Sequence, residues 1–383
     1  MTGRERLLKT FKGESVDRVP ICPWVYKNFI YEYFKISPEE QNWRGNYYLG
    51  EKTIEVYKYF SFDLLHRLGT PWHIYDEKSS DDGRWIVYVQ FKKIKGRDTE
   101  ITTIKTPERI LRQVKEFVQV SKYTYVEAIS EYFIKDRSDF DQFLKYQPPF
   151  KPDDEFNNLT KTKEAVGDDG IVVSCLHGTF NSLNMYRKLE DIMMDPHTDE
   201  IFYREMIKYF GGRAAEIAKY MVEYGADVIE YAANLASGCV GPGFFEKFVL
   251  EYEKEFIDKI HSYGAFDIYH NCGDAADIMH LYNQLGTNAW GYLTPKPFGD
   301  VVLEDALKII DKNIVLIGNI DQVEFMVKAK PQEIKIRVKE VLKRAKERGN
   351  FILSTTDWFF DNTPYENIKA FVEAGLEYGN YSK

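Results

Sequence analysis

From residue 170 onward the chain alternates short apolar runs with longer helical stretches, and this rhythm leaves few folds open. The runs are Ile171-Val-Val-Ser-Cys-Leu, Ala226-Asp-Val-Ile-Glu-Tyr, Ala265-Phe-Asp-Ile-Tyr-His, Asn288-Ala-Trp-Gly-Tyr, Ile314-Val-Leu-Ile-Gly-Asn and Phe351-Ile-Leu-Ser-Thr. Helical sequence follows each: through Met221, then around Phe244–Ser262, Ala275–Gln284, Leu303–Asp311, Pro331–Glu347 and Pro364–Glu373. Such alternation argues for βα units around a parallel sheet. Continuous apolar strands are what a sheet covered on both faces requires. A strand-like segment at Arg18–Val25, plus one more strand in the middle region, brings the count near eight. The expected fold is therefore α/β, a closed (β/α)8 TIM barrel, with an open doubly wound sheet as the alternative. No G-x-G-x-x-G follows a strand, so nothing supports dinucleotide binding.

The first third reads differently. Met1–Gly13 is an amphipathic helix with Leu7, Leu8 and Phe11 on one side. Residues 76–105 turn to β pattern, with Arg84-Trp-Ile-Val-Tyr-Val-Gln-Phe and Thr99-Glu-Ile-Thr-Thr-Ile flanking Gly96, the signature of an inserted hairpin. No composition break marks a second domain, so residues 1–383 are expected to form one barrel domain with a helical N-terminal extension.

The net charge of −9 excludes a broad basic face for nucleic acid. Four scattered cysteines show no disulfide-framework spacing and read as reduced thiols. The charged first turn is no signal peptide, and no run approaches the ~18 apolar residues of a membrane helix. A cytoplasmic protein free of membrane and nucleic acid is expected.

Barrel chemistry sits at the C-terminal ends of the strands. The polar residues there are His177, Glu230, Asn234, His270, Asn271, Cys272, Tyr292, Asn319, Asp321, Thr355, Thr356 and Asp357. In His270-Asn-Cys-Gly, residues i and i+2 of an extended strand face one side, so imidazole and thiolate can converge on one ion. That pair suits Zn2+, while a buried thiol beside a hydrogen-bonded histidine is the plainer reading. Glu230 could be base, ligand or anchor, or could pair with a basic residue. Asp321, after Asn319, could cap the next helix, and Asp357 could cap or brace its loop.

Several blocks resemble the uroporphyrinogen-decarboxylase superfamily. They are Met1-Thr-Gly-Arg-Glu-Arg-Leu-Leu-Lys-Thr-Phe-Lys-Gly-Glu, Asp17-Arg-Val-Pro, Gly225-Ala-Asp, His270-Asn-Cys-Gly, Gly318-Asn-Ile-Asp and Thr363-Pro-Tyr-Glu-Asn, in that order along nearly the whole chain. The resemblance implies a single (β/α)8 barrel. Decarboxylases of the family carry an arginine-rich segment after the first strand, where this chain has Pro23-Trp-Val-Tyr-Lys-Asn-Phe. The His-x-Cys-Gly block belongs instead to the corrinoid-dependent methyltransferase branch, of the methylcobamide:coenzyme M type. There the His and Cys bind zinc and a third ligand, Cys, follows the last strand.

Counting back from Thr363, that Cys position falls on Asp357, and a loop shift would put Asp361 there instead. The resemblance thus implies Zn2+ on His270, Cys272 and Asp357, with a corrinoid carried by a partner protein, since no D-x-H-x-x-G segment is present. Glu230 and Asp321 are the catalytic candidates, and Asn319 and Tyr292 the cofactor-binding ones. Trp24, Tyr292 and Trp358 could exclude water at the barrel mouth. A carboxylate in place of the second thiolate points toward O- or N-demethylation of a small-molecule donor. The alternatives are a decarboxylase and a non-catalytic barrel that binds a corrinoid or partner.

Overall fold

The computed structural model describes residues 1–36, 49–67 and 78–381. Among the described residues the strands are β1 (Leu64–His66), β2 (Ile86–Ile94), β3 (Arg97–Lys105), β4 (Ile110–Gln119), β5 (Tyr125–Glu131), β6 (Gly170–His177), β7 (Val228–Ala232), β8 (Phe266–His270), β9 (Ala289–Leu293), β10 (Val315–Ile320) and β11 (Phe351–Thr355). Seven of them pair in parallel in the order β1-β6-β7-β8-β9-β10-β11. The six runs read from sequence after residue 170 are β6 to β11, and β1 is the further strand of the middle region.

The extended segment 18–24 fills the gap between β11 and β1. Leu353 N–H donates to Pro20 O and Cys22 N–H to Leu353 O, while Asp63 N–H donates to Ile21 O. These bonds close the sheet into a (β/α)8 barrel. Side-chain alternation then sorts the strands. Cys22, Leu65, Val173, Val228, Ile268, Val315, Ile317 and Ile352 pack together inside. Val172, Ile229, Tyr269, Trp290, Leu316 and Leu353 face outward to the helices, such as Glu200–Glu223 and Pro331–Arg348. The helix Gly3–Phe11, started by a Thr2/Glu5 capping box, plugs the floor with Leu7 and Phe11.

Between β1 and β6 the chain builds a four-stranded antiparallel sheet, β2-β3-β4-β5. The expected hairpin is β2–β3, joined by Lys95-Gly96, both with positive φ as a tight two-residue turn requires. Positions 76 and 77 of the expected segment lie outside the described residues. Two strands more than expected, β4 and β5, extend it, and Ser121 in their connection donates to Asp361 (2.6 Å), in the loop after β11. Around Ala275–Gln284, where a helix was expected, only a short 3-10 turn, Met279–Gln284, forms. Phe244–Ser262 divides at Val249 into Gly241–Phe248 and Leu250–Ser262. Among the described residues no helix is long and apolar enough to cross a membrane.

Candidate metal centre

His270 ends β8, one strand over from Glu230 on β7, and both point into the barrel as the inward partners of Ile268 and Val228. The His270 Nδ1 lies 2.9 Å from Glu230 Oε1. A carboxylate can only accept here, so Nδ1 carries a proton and Nε2 is the ring nitrogen left for Cys272 and Asp357. Cys272 follows two residues on, and Gly273, at φ 106°, takes a backbone conformation that side chains avoid as the chain turns away. Asp357 follows β11 and is braced by Trp358 N–H at 2.8 Å. A ring nitrogen of His270, Cys272 Sγ and an Asp357 carboxylate oxygen all lie within 4.8 Å of one another.

Glu230 is 2% exposed, and burial alone would raise its carboxyl. The adjacent Arg67 and His270 outweigh burial and hold it near 2. Arg67 directly follows β1, donates from Nε to Glu230 Oε2 (2.6 Å), and reaches the Tyr292 hydroxyl through Nη2. That hydroxyl also donates to Glu230 Oε1 at 3.2 Å. Burial would depress the His270 imidazole, but Cys272 and Glu230 push it up to about 10, so a metal bound at Nε2 would displace a ring proton. Burial raises Asp357 to about 6, against the pull of His270.

Aromatic rings wall this cluster. Trp24 and Tyr292 each sit 5.0 Å from the His270 ring, and Trp358 lies 5.6 Å from Trp24. Tyr292 reaches the interior through a register shift. Ile317 pairs with Gly291 but Gly318 pairs with Leu293, so Tyr292 is the unpaired extra residue, re-aimed as at a bulge.

Of the residues singled out from sequence, His270, Cys272, Asp357, Glu230 and Tyr292 meet here. Asp321 does not join them. It accepts from Val323, Glu324 and Phe325 N–H, bracing the turn into the next helix. With Asn319 it lines a separate groove of about 520 Å3 that also takes in Lys296 and Arg337. Asn319 is buried, and its Oδ1 has no partner among the described residues. Asp361 is held by Ser121 and by Tyr123 N–H. Asn271 ties down Ala233 and Ala236 carbonyls, and Thr356 bonds Gln322. Arg67 was missed, because its strand is three residues long and carries no alternation to detect. The one available signal was the polar pair closing the apolar run in Leu64-Leu-His-Arg.

The donors fit a zinc ion. Among the described residues, buried His270 Nε2 has no hydrogen-bond partner, an arrangement that costs roughly 1–3 kcal/mol unless something binds it. Imidazole, thiolate and carboxylate are all zinc donors, and the Glu230 carboxylate on Nδ1–H is the usual outer support of a metal-binding histidine.

Residues 129–378 match the uroporphyrinogen decarboxylase (URO-D) family. The chain belongs to that family. Its relatives include the methylcobamide:CoM methyltransferase MtbA of Methanosarcina mazei, 28% identical over 42% of this chain and 45% of that protein. MtaA of Methanosarcina barkeri, also a methylcobamide:CoM methyltransferase, is 26% identical over 56% of this chain and 61% of that protein. A uroporphyrinogen decarboxylase of Prochlorococcus marinus is 25% identical over 45% and 46%. The chain thus spans about half the length of the curated relatives it matches. A solved methyltransferase from Methanosarcina mazei has the same fold, with a TM-score of 0.72 over 98% of this chain and 99% of that one at 18% identity.

Proposed function

We propose that this protein is a zinc-dependent methyltransferase that moves a methyl group between a corrinoid carried on a partner protein and a small-molecule donor or acceptor. The observation that carries this reading is the buried, unpaired His270 Nε2 facing Cys272 and Asp357. Three protein ligands leave a fourth position open, the mark of a catalytic rather than structural zinc. Zinc bound there supplies Lewis acidity toward the heteroatom that carries or receives the methyl group.

The chain's own residues do the rest. Glu230 fixes the imidazole orientation and tautomer through Nδ1–H, and Arg67 keeps Glu230 ionised. Trp24, Tyr292 and Trp358 exclude water around the reacting atoms, which strengthens every charge interaction inside. Asp357 in place of a second thiolate favours an oxygen or nitrogen heteroatom over a thiol, and hence demethylation toward the corrinoid.

The purified protein is expected to carry about one zinc per chain, lost in His270→Ala and Cys272→Ala and weakened in Asp357→Ala. Demethylation, assayed with free cob(I)alamin as acceptor through its visible spectrum, should disappear with the metal. A second reading, decarboxylation, draws on the decarboxylases among the relatives. Protein that takes up no zinc when supplied with it would favour that reading and sink the first.

A further inference from the structure

His270 and Cys272 stand two residues apart, so the side chain between them, Asn271, points away from an ion that they share. It is fully buried. Its Nδ2 donates to two carbonyls of the loop after β7, Ala236 O at 2.7 Å and Ala233 O at 3.2 Å. The Asn271 backbone is held from the other side, donating to Gly291 O (2.6 Å) and accepting from Trp290 Nε1 (3.2 Å). The buried phenols of Tyr269 and Tyr282 abut the same side chain. One asparagine thus joins β9 to the loops that follow β7 and β8.

The two flanking ligands depend on this clamp to different degrees. The His270 ring has supports of its own, Glu230 on Nδ1 and the Trp24 and Tyr292 rings at 5.0 Å. Its carbonyl also accepts from Ala233 N–H at 2.8 Å. Cys272 is less well framed. It is half-buried, with its thiol against His270 and the inner core. Among the described residues, the backbone of Cys272 and Gly273 bonds to no other backbone group. The nearest fixed points are Asn271 before them and Asp274 after them, whose carbonyl accepts from Gly238 N–H (2.8 Å) in that same β7 loop.

We infer that Asn271 is a positioning residue of the candidate metal centre, which places the Cys272 thiolate by clamping the chain to the carbonyls of Ala233 and Ala236. The assignment rests on the zinc reading above and adds to it a residue that does not touch the metal. Two carbonyl oxygens converge on one nitrogen, and among side chains of this size a neutral amide has the two N–H donors that serve both. A carboxylate of the same shape sets an acceptor against two buried acceptors, which leaves all three unsatisfied and drives the loops apart. Metal–ligand distances hold only within about 0.2 Å, so a small shift of the loop removes Cys272 from bonding range while His270 stays.

The test is titration of the metal-free, full-length protein with Co2+, which takes the same nitrogen, oxygen and sulfur donors and absorbs light where zinc does not. A cobalt–thiolate bond gives a near-ultraviolet charge-transfer band, and the visible bands report the whole coordination sphere. Wild type is expected to bind about one cobalt per chain and to show the thiolate band. Asn271→Asp should lose most of that band per bound cobalt and bind the metal about 10- to 100-fold more weakly. Asn271→Ser leaves room for water on the two carbonyls, should shift both readings the same way by less, and carries the test if the Asp variant does not fold. The band at saturation is a readout that loss of stability alone does not move. Folded variants with the wild-type band and affinity would overturn the inference, as would weaker binding with the full band retained, since Cys272 would then be in place. Wild type that binds no cobalt, or binds it without a thiolate band, overturns the metal-centre reading beneath it.

Discussion

Glu230 touches three of the groups that matter, accepting from Arg67 and Tyr292 and holding the His270 ring. Its substitution by Gln removes the negative charge that fixes the imidazole. We expect zinc affinity to fall about 10- to 100-fold, read by competition with a chromophoric chelator, while His270 and Cys272 remain in place. Asp357→Cys should act in the opposite direction. A thiolate is a softer zinc donor than a carboxylate, so the metal should be held more tightly and thiol acceptors accepted better. Unchanged zinc affinity would show that residue 357 does not touch the metal. At this scale His270, Cys272 and Asp357 were legible because they stand next to strand ends that periodicity locates. Arg67 was not, because Leu64–His66 is too short to carry a period.

Closure of the barrel depends on Asp63. Its carboxylate, 3% exposed, accepts from Arg6 (2.6 Å), from Arg18 (2.6 and 3.0 Å) and from Ile21 N–H (2.8 Å). One side chain thus joins the floor helix, the closing segment 18–24 and the entry to β1. Asp63→Ala strands two largely buried guanidinium groups and is expected to cost about 3–5 kcal/mol in urea denaturation. A loss below 1 kcal/mol would mean that Arg6, still paired with Asp17, compensates. The segment 18–24 was recognisable as extended from its apolar content. That it is the strand which shuts the sheet follows only from the bonds to Leu353 and Asp63.

The acid and neutral limbs of stability differ in sign. Glu230 is held near 2, below its ordinary 4.5, so its contribution is complete above about pH 4.5 and fades as pH falls through 2. Glu253 behaves oppositely. It is fully buried beside the N-terminus of helix Thr179–Tyr186 with no cation on it among the described residues, and burial raises its carboxyl to about 7. Between about pH 4.5 and 7 the folded state holds the extra proton, so stability declines as pH rises through that window. Glu253→Gln should therefore gain on wild type from pH 5 to 8, by an amount on the order of 1–3 kcal/mol. A difference between the two proteins that does not change with pH would refute it. Zinc binds only the folded chain in this scheme, so excess zinc should raise the melting temperature and a chelator lower it.

The sequence by itself determined the barrel class. Alternating buried strands and amphipathic helices have one good way to cover both faces of a parallel sheet, and that pattern is local. It also placed His270, Cys272 and Asp357 at strand ends, since strand ends are local features too. Only the tertiary structure decided which polar groups meet. Closure brings Trp24, from the first extended segment, against His270 from β8, two residues 246 positions apart in the chain. It sets Arg67 on Glu230, and turns Tyr292 inward at a register shift that strict alternation would have pointed to the helices. Asp321 satisfied the same strand-end rule yet braces its own loop, because the backbone N–H groups of Val323 and Phe325 come within its reach first. Strand-end position is written along the chain; convergence depends on register and closure, which arise between strands.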